Sequence, residues 1–332
     1  MVVISMNIST VIKTVVAIVF LLGVFTLGFY APHSATQIVT PRQIILQNNQ
    51  EEKYSLINKA VVTNIGKHFI INFRPLKAEL EKIKARHPQH TYLYFSYLNN
   101  GSWIGLGERE EFTAASTLKV PIAMALMKAV EDGKVKLSDS YSLDELDLDA
   151  HFGDLYKAGS DKEFTIEELM RIMLEQSDNT ALNALSRVFQ RIGVEDPLGG
   201  VYGFLGWEFT PVLPEFGQAP DYSKINLKTL SNLFIALYDA KYVSIEHSNQ
   251  ILEYLSRTPF DNQIAAGVPK DIVVSHKIGV SDNDKTFSDC GIVYAPNRNY
   301  LLCLGSNGGE EAKANAFMAE ASKAVYDYVI NN

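Results

Sequence analysis

Three short stretches of this chain hold residue types suited to acyl transfer. The first is Ser116-Thr117-Leu118-Lys119. A serine hydroxyl attacks a carbonyl when a base takes its proton, and a lysine becomes such a base when desolvation pushes its pKa down. These residues open an apolar run (VPIAMALMKAV) that reads as a helix to about Asp132, buried on nearly every side. Ser116 is thereby expected at a helix N-terminus, where backbone N–H groups favour developing negative charge, with Lys119 one turn along on the same face. A serine cap followed by an unconnected lysine would look the same, and an S-x-x-K match arises about once by chance in a chain of this size. Two facts favour chemistry: Ser116 is the only serine with lysine at the third following position, and the helix behind it is strongly apolar.

The second stretch, Ser177-Asp178-Asn179, lies between two helical segments, Thr165 to Gln176 and Thr180 to Gln190. Such a tripeptide caps a helix. In a site, Ser177 would relay a proton to a leaving group and Asn179 would hydrogen-bond a substrate amide. The same tripeptide recurs at Ser281-Asp282-Asn283, where turn chemistry between strands explains it. The third stretch, His276-Lys277-Ile278-Gly279, reads as the end of a strand, and Gly279 would let a ligand approach the backbone. A cation on a strand edge otherwise simply solvates that edge.

The elements around these residues are a helix over 75–86, strands over Thr91–Leu98 and Ser102–Gly107 joined at Asn99-Asn100-Gly101, and a mostly helical stretch from 116 to 257. Strands follow at Ile272–Lys277, Ser288–Ala295 and Tyr300–Ser306, then a helix from about Glu310 to Ile330. Strands that part around a helical insertion and rejoin imply one five-stranded antiparallel sheet flanked by the first and last helices, with an all-helical lobe beside it and a cleft between them.

In this order and context the three stretches resemble the S-x-x-K, S-D-N and K-T-G elements of the serine β-lactamase and penicillin-binding protein superfamily, and look most like class A β-lactamases. The resemblance covers about residues 72–332. It implies the β-lactamase/transpeptidase-like α/β (α+β) fold and an acyl-enzyme mechanism without metal or cofactor. Ser116 would be the nucleophile, Lys119 the base or proton relay, and Ser177 with Lys277 a proton-transfer and anchoring pair. Asn179 and Gly279 would contact substrate, the backbone N–H groups of Ser116 and Val280 would form the oxyanion hole, and Phe152 would be an aromatic wall beside the nucleophile. β-Lactams, or D-alanyl peptides of peptidoglycan, would be the substrates. A module that binds cell wall without catalysis is the alternative, but binding alone has no need of the Ser–Lys pair.

The chain also departs from that pattern. Ile278 stands where the family has Thr or Ser, and Cys290 stands where many class A enzymes have Arg, so substrate-carboxylate recognition leans on Lys277. Glu215 lies near the family's spacing for the deacylating glutamate, but its surroundings (LPEFGQA) lack the Leu-Asn pair. Slow deacylation is therefore expected, with Glu215 as the candidate base.

The chain has 332 residues, 47% hydrophobic and 20% charged, with net charge −8, which excludes a disordered tail, a collagen-like fibre and a polytopic membrane protein. No Lys/Arg stripe suggests nucleic acid as a partner. Two cysteines make neither a disulfide scaffold nor a four-ligand zinc site. Thr14 to Tyr30 is an uncharged apolar run preceded by Lys13, which reads as an uncleaved membrane anchor or, alternatively, a cleaved signal. Residues 1–30 would be that anchor or signal, 31–71 a stalk, and 72–332 the exported catalytic domain. A tight turn at Ala295-Pro296-Asn297-Arg298 would set Cys290 opposite Cys303, close enough for a bond or simply two buried hydrophobes.

Overall fold

The computed structural model describes residues 55–56, 72–206 and 221–332. All belong to Asn49–Asn332, the larger of two units into which the chain divides. The 1–30 segment, most of the expected stalk and the Glu215 region lie outside the described residues. Among those described, no helix is long and apolar enough to cross a membrane.

Five strands build the central antiparallel sheet: β1 (His90–Tyr97), β2 (Ser102–Leu106), β7 (Val274–Ser281), β8 (Thr286–Val293) and β9 (Tyr300–Asn307), in the order β2-β1-β9-β8-β7. β1 carries no polar–apolar alternation because both of its faces are covered. Leu93, Phe95 and Tyr97 pack with Leu76, Leu80 and Ile83 of α1 (Arg74–Arg86) and with Phe317, Ala321 and Val325 of α8 (Glu311–Asn331). Tyr92 and Tyr94 join the core of the helical lobe.

That lobe contains α2 (Lys119–Glu131), α3 (Ile166–Glu175), α4 (Asn179–Arg191), α5 (Pro197–Leu205), α6 (Leu227–Tyr238) and α7 (Ile245–Ser256). Its centre is α2, whose residues from Lys119 to Met127 are all buried. Helix starts follow local chemistry: Thr165 and Glu168 form a capping box on α3, and Asp178 caps α4 by accepting from Ala181 N. Two short ribbons, β3 (Phe112–Thr113) with β6 (Lys224–Ile225) and β4 (Ser140–Ser142) with β5 (Glu163–Thr165), were beyond sequence reading, because two- and three-residue strands have no period to detect.

Two expectations need correction. Ser116 does not begin the α-helix: it sits in a 3-10 turn, Ala115–Leu118, and α2 starts at Lys119. Lys277 does not end a strand: β7 continues to Ser281, paired throughout with β8. Part of the expected stalk also touches the domain. Leu56 is buried in the helical-lobe core, its N–H reaching Asn249 Oδ1 at 3.4 Å and its carbonyl accepting from Tyr294 Oη at 2.9 Å. The β8–β9 register sets Cys290 against Cys303, and a disulfide joins them.

Candidate active site

The 3-10 turn holding Ser116 packs directly against β7. A Cβ on Gly279 would meet Ser288 Oγ at 2.7 Å, Thr117 Cγ2 at 2.9 Å and the Ala114 carbonyl at 3.0 Å. Gly279 therefore clears space for the nucleophile's own turn, where the sequence suggested clearance for a ligand. Ala115, just before Ser116, has φ +47°, a left-handed conformation that costs an alanine energy and is held by this packing. Ser116 itself is half-buried.

Ser177 likewise has φ +57°. Its neighbour Asp178 fixes the joint between α3 and α4, accepting from Leu155 N and Ala181 N, both at 2.9 Å. Gly153 has φ +89° and no space for a side chain, since its Cβ would fall 2.0 Å from Asp178 Oδ2. The twist at Ser177 points its carbonyl and hydroxyl together at the buried end of α2.

There the two lysines meet. Lys119 Nζ lies 3.0 Å from Ser116 Oγ, 2.8 Å from Asn179 Oδ1, 2.5 Å from the Ser177 carbonyl and 3.3 Å from Ser177 Oγ. Lys277 Nζ donates to Ser177 Oγ at 2.7 Å and to the Ile278 carbonyl at 3.2 Å. Both lysines are about 1% exposed. Burial lowers the Lys119 pKa to about 8, against the opposing charges of Asp178 and Asp149. Burial, reinforced by Lys119, holds Lys277 well below the ordinary lysine range, with Asp289 opposing. The edge-solvating reading of Lys277 is thus overturned.

The donor count then shows what Lys119 can do once it has shed its proton. A neutral amine has two N–H bonds and one lone pair. The Ser177 carbonyl and Asn179 Oδ1 can only accept, so they take the two hydrogens. The lone pair is left for a hydroxyl, and Ser116 Oγ at 3.0 Å is nearer than Ser177 Oγ at 3.3 Å. That is the geometry of a base poised on a serine hydroxyl.

The cleft wall is aromatic. Phe152 stands with its ring centroid 6.0 Å from Lys119 Nζ and 5.7 Å from the Phe260 ring. A cavity of about 620 Å³ opens beside this pair, lined also by Gln176, Glu175 and Arg257; Ser116 is not part of its lining. Val280 is half-buried and follows Gly279 along β7. Structure thus brings Ser116, Lys119, Ser177, Asn179, Lys277, Gly279 and Phe152 to one place, while Glu215 lies outside the described residues. Sequence reading missed Phe260, Asp149 and Thr180. Thr180 directly follows the Ser177-Asp178-Asn179 stretch and could have been suspected, but Asp149 and Phe260 reach the site from distant loops and carry no local signal.

A five-stranded sheet flanked by terminal helices, with a Ser–Lys pair under a helical lobe, defines a serine hydrolase of the β-lactamase/transpeptidase kind. The model of the beta-lactamase enzyme family (Beta-lactamase2) matches residues 75–329, and the chain belongs to that family. It is 24% identical over 250 residues to a beta-lactamase of Bacteroides uniformis, covering 70% of this chain and 83% of the relative. It is 26% identical over 230 residues to beta-lactamase CTX-M-97 of Escherichia coli, covering 65% and 76%. Among solved structures, PBP-A superposes with TM-score 0.68 at 23% identity, over 78% of this chain and 97% of its own. A beta-lactamase from Chitinophaga pinensis gives 0.67 at 20%, over 78% and 100%.

Proposed function

We propose that the chain is an exported serine β-lactamase that opens β-lactam amides through a Ser116 acyl-enzyme and hydrolyses that intermediate slowly. The observation that carries the reading is the partner set of Lys119, which directs an amine lone pair at Ser116 Oγ. Ser116 Oγ attacks the ring carbonyl as its proton passes to Lys119. The C–N bond then breaks, and the leaving nitrogen takes a proton through Ser177, whose hydroxyl Lys277 holds in place. Lys277 also faces the substrate carboxylate, whose arrival would draw it back toward the charged form. Asn179 binds the side-chain amide, Phe152 stacks beside it, and the N–H groups of Ser116 and Val280 receive the oxyanion.

Incubation with a fluorescent penicillin tests this. Mass spectrometry should place the adduct on the peptide containing Ser116, and Ser116→Ala should abolish it; labelling that survives in the variant sinks the mechanism. Slow turnover rests on the LPEFGQA context of Glu215, which lacks the asparagine that helps hold a deacylating water. A burst followed by a slow steady state is expected, and Glu215→Gln should lengthen the adduct's life while leaving acylation intact. The same context supports a second reading, a D-alanyl-D-alanine carboxypeptidase or transpeptidase acting on peptidoglycan. Release of D-alanine from a D-alanyl-D-alanine peptide, faster than β-lactam turnover, would select it. A cell-wall-binding module without catalysis would show no adduct at all. Export through the Thr14–Tyr30 run, with the domain on the outer side of the membrane, is supported by Lys13 ahead of that run. External protease should then reach the domain in intact cells.

A further inference from the structure

Asp149 is the one carboxylate, among the described residues, that hydrogen-bonds to Asn179. Its backbone is clamped by Thr180: Asp149 N donates to Thr180 Oγ1 at 2.9 Å, and that hydroxyl lies 3.3 Å from the Asp149 carbonyl. Its Oδ1 accepts from His151 N at 2.7 Å and from Asn179 Nδ2 at 3.4 Å, and faces His151 Nδ1 at 3.1 Å. Oδ2 has no hydrogen-bond partner among the described residues, and the side chain is 26% exposed. Partial burial works against the charged form, but the hydrogen bonds from His151 and Asn179 outweigh it and hold the carboxyl below its ordinary range. The site therefore presents a fixed, ionised carboxylate with one open oxygen.

We propose that Asp149 is a specificity-determining residue that favours acyl groups bearing an ammonium one carbon from the amide carbonyl. The inference rests on the reading that Asn179 binds that carbonyl. An amide nitrogen has two hydrogens. One goes to Asp149, leaving the other for the substrate, so the bound carbonyl sits next to the Asp149 carboxylate. A primary ammonium on the adjacent carbon then lies within reach of the open Oδ2. Lys119 bonds to the opposite end of the same amide, through Asn179 Oδ1, and the His151 ring stands outward at 91% exposure.

The test compares ampicillin with benzylpenicillin, which differ only by that amine. Acylation rates would be measured at about pH 6.5, below the α-amino range. The ratio of the two rates should be about three- to fivefold higher in the wild type than in Asp149→Asn, the size of a partly exposed ion pair. Asp149→Glu should retain part of the preference, and molar salt should shrink it in the wild type. A ratio unchanged by Asp149→Asn, or indifferent to salt should that variant fail to fold, overturns the proposal. Failure of both penicillins to acylate the wild type overturns the acyl-enzyme reading itself, which the ratio alone does not touch.

Discussion

His276 and Lys277 are neighbours on β7, both almost fully buried, and the fold gives them opposite surroundings. His276 points to the face covered by the terminal helices. There its Nδ1 lies 2.9 Å from Asp289 Oδ1, and Asp289 Oδ2 also accepts from Ile264 N at 3.1 Å. Lys277 points to the other face, where its hydrogen bonds go to a hydroxyl and a carbonyl and to no carboxylate. A buried pair with its hydrogen bonds satisfied is a structural tie; a buried amine without a counter-charge is costly unless it sheds its proton. The back face thus holds the strand, and the front face holds, beside a serine, two amines that give up their protons more readily than ordinary lysines. Stability and reactivity are separated by the thickness of one sheet.

The separation can be broken at several points. Lys119→Met should give the largest effect, an acylation rate lower by about a thousandfold, in the range expected for loss of a general base. Because it removes a desolvated amine, thermal stability should be unchanged or higher. A large fall in melting temperature would mean that Lys119 is structural. Gly279→Ala should come next. Its new methyl must displace the Ala114–Thr117 turn or Ser288, and a shift of about 1 Å in the nucleophile costs on the order of a hundredfold. Wild-type acylation by benzylpenicillin would rule out such tight contact.

The pH dependence sharpens the front face further. With Lys119 at about 8, its proton must leave before it acts as base, so acylation should rise about tenfold per pH unit below 8 and level off above it. The sign for stability is the same. The unfolded lysine keeps its proton to higher pH than the folded one, so ΔG of unfolding should rise between about 8 and the ordinary lysine value near 10.4. A rate that levels off well below pH 7 would assign the base to another group. The smallest effect on rate belongs to the back face. Asp289→Asn should cost about 3 kcal/mol of stability, read from urea melts, yet leave acylation by the folded protein within about threefold. A tenfold loss of rate without unfolding would show that the two faces are coupled.

Much of this was legible in the chain. The apolar run after Ser116 required a buried helix, TYLYFSYL read as a strand, and the spacing of Ser116, Ser177 and Lys277 around a helical block pointed to a site under that lobe. These are local patterns or ordered motifs, and local sequence carries them. The 3-10 turn at Ser116, the left-handed Ala115 and Ser177, and the continuation of β7 past Lys277 were not legible. Each is imposed by packing from elsewhere against the preference of the residue itself. Residue types alone supplied a lysine three places from a serine. Only the tertiary structure made it a base, because desolvation and the two acceptors that claim its hydrogens come from α4 and the joint before it, some sixty residues along the chain. Charge state and hydrogen-bond direction depend on surroundings in space, which a linear pattern does not contain.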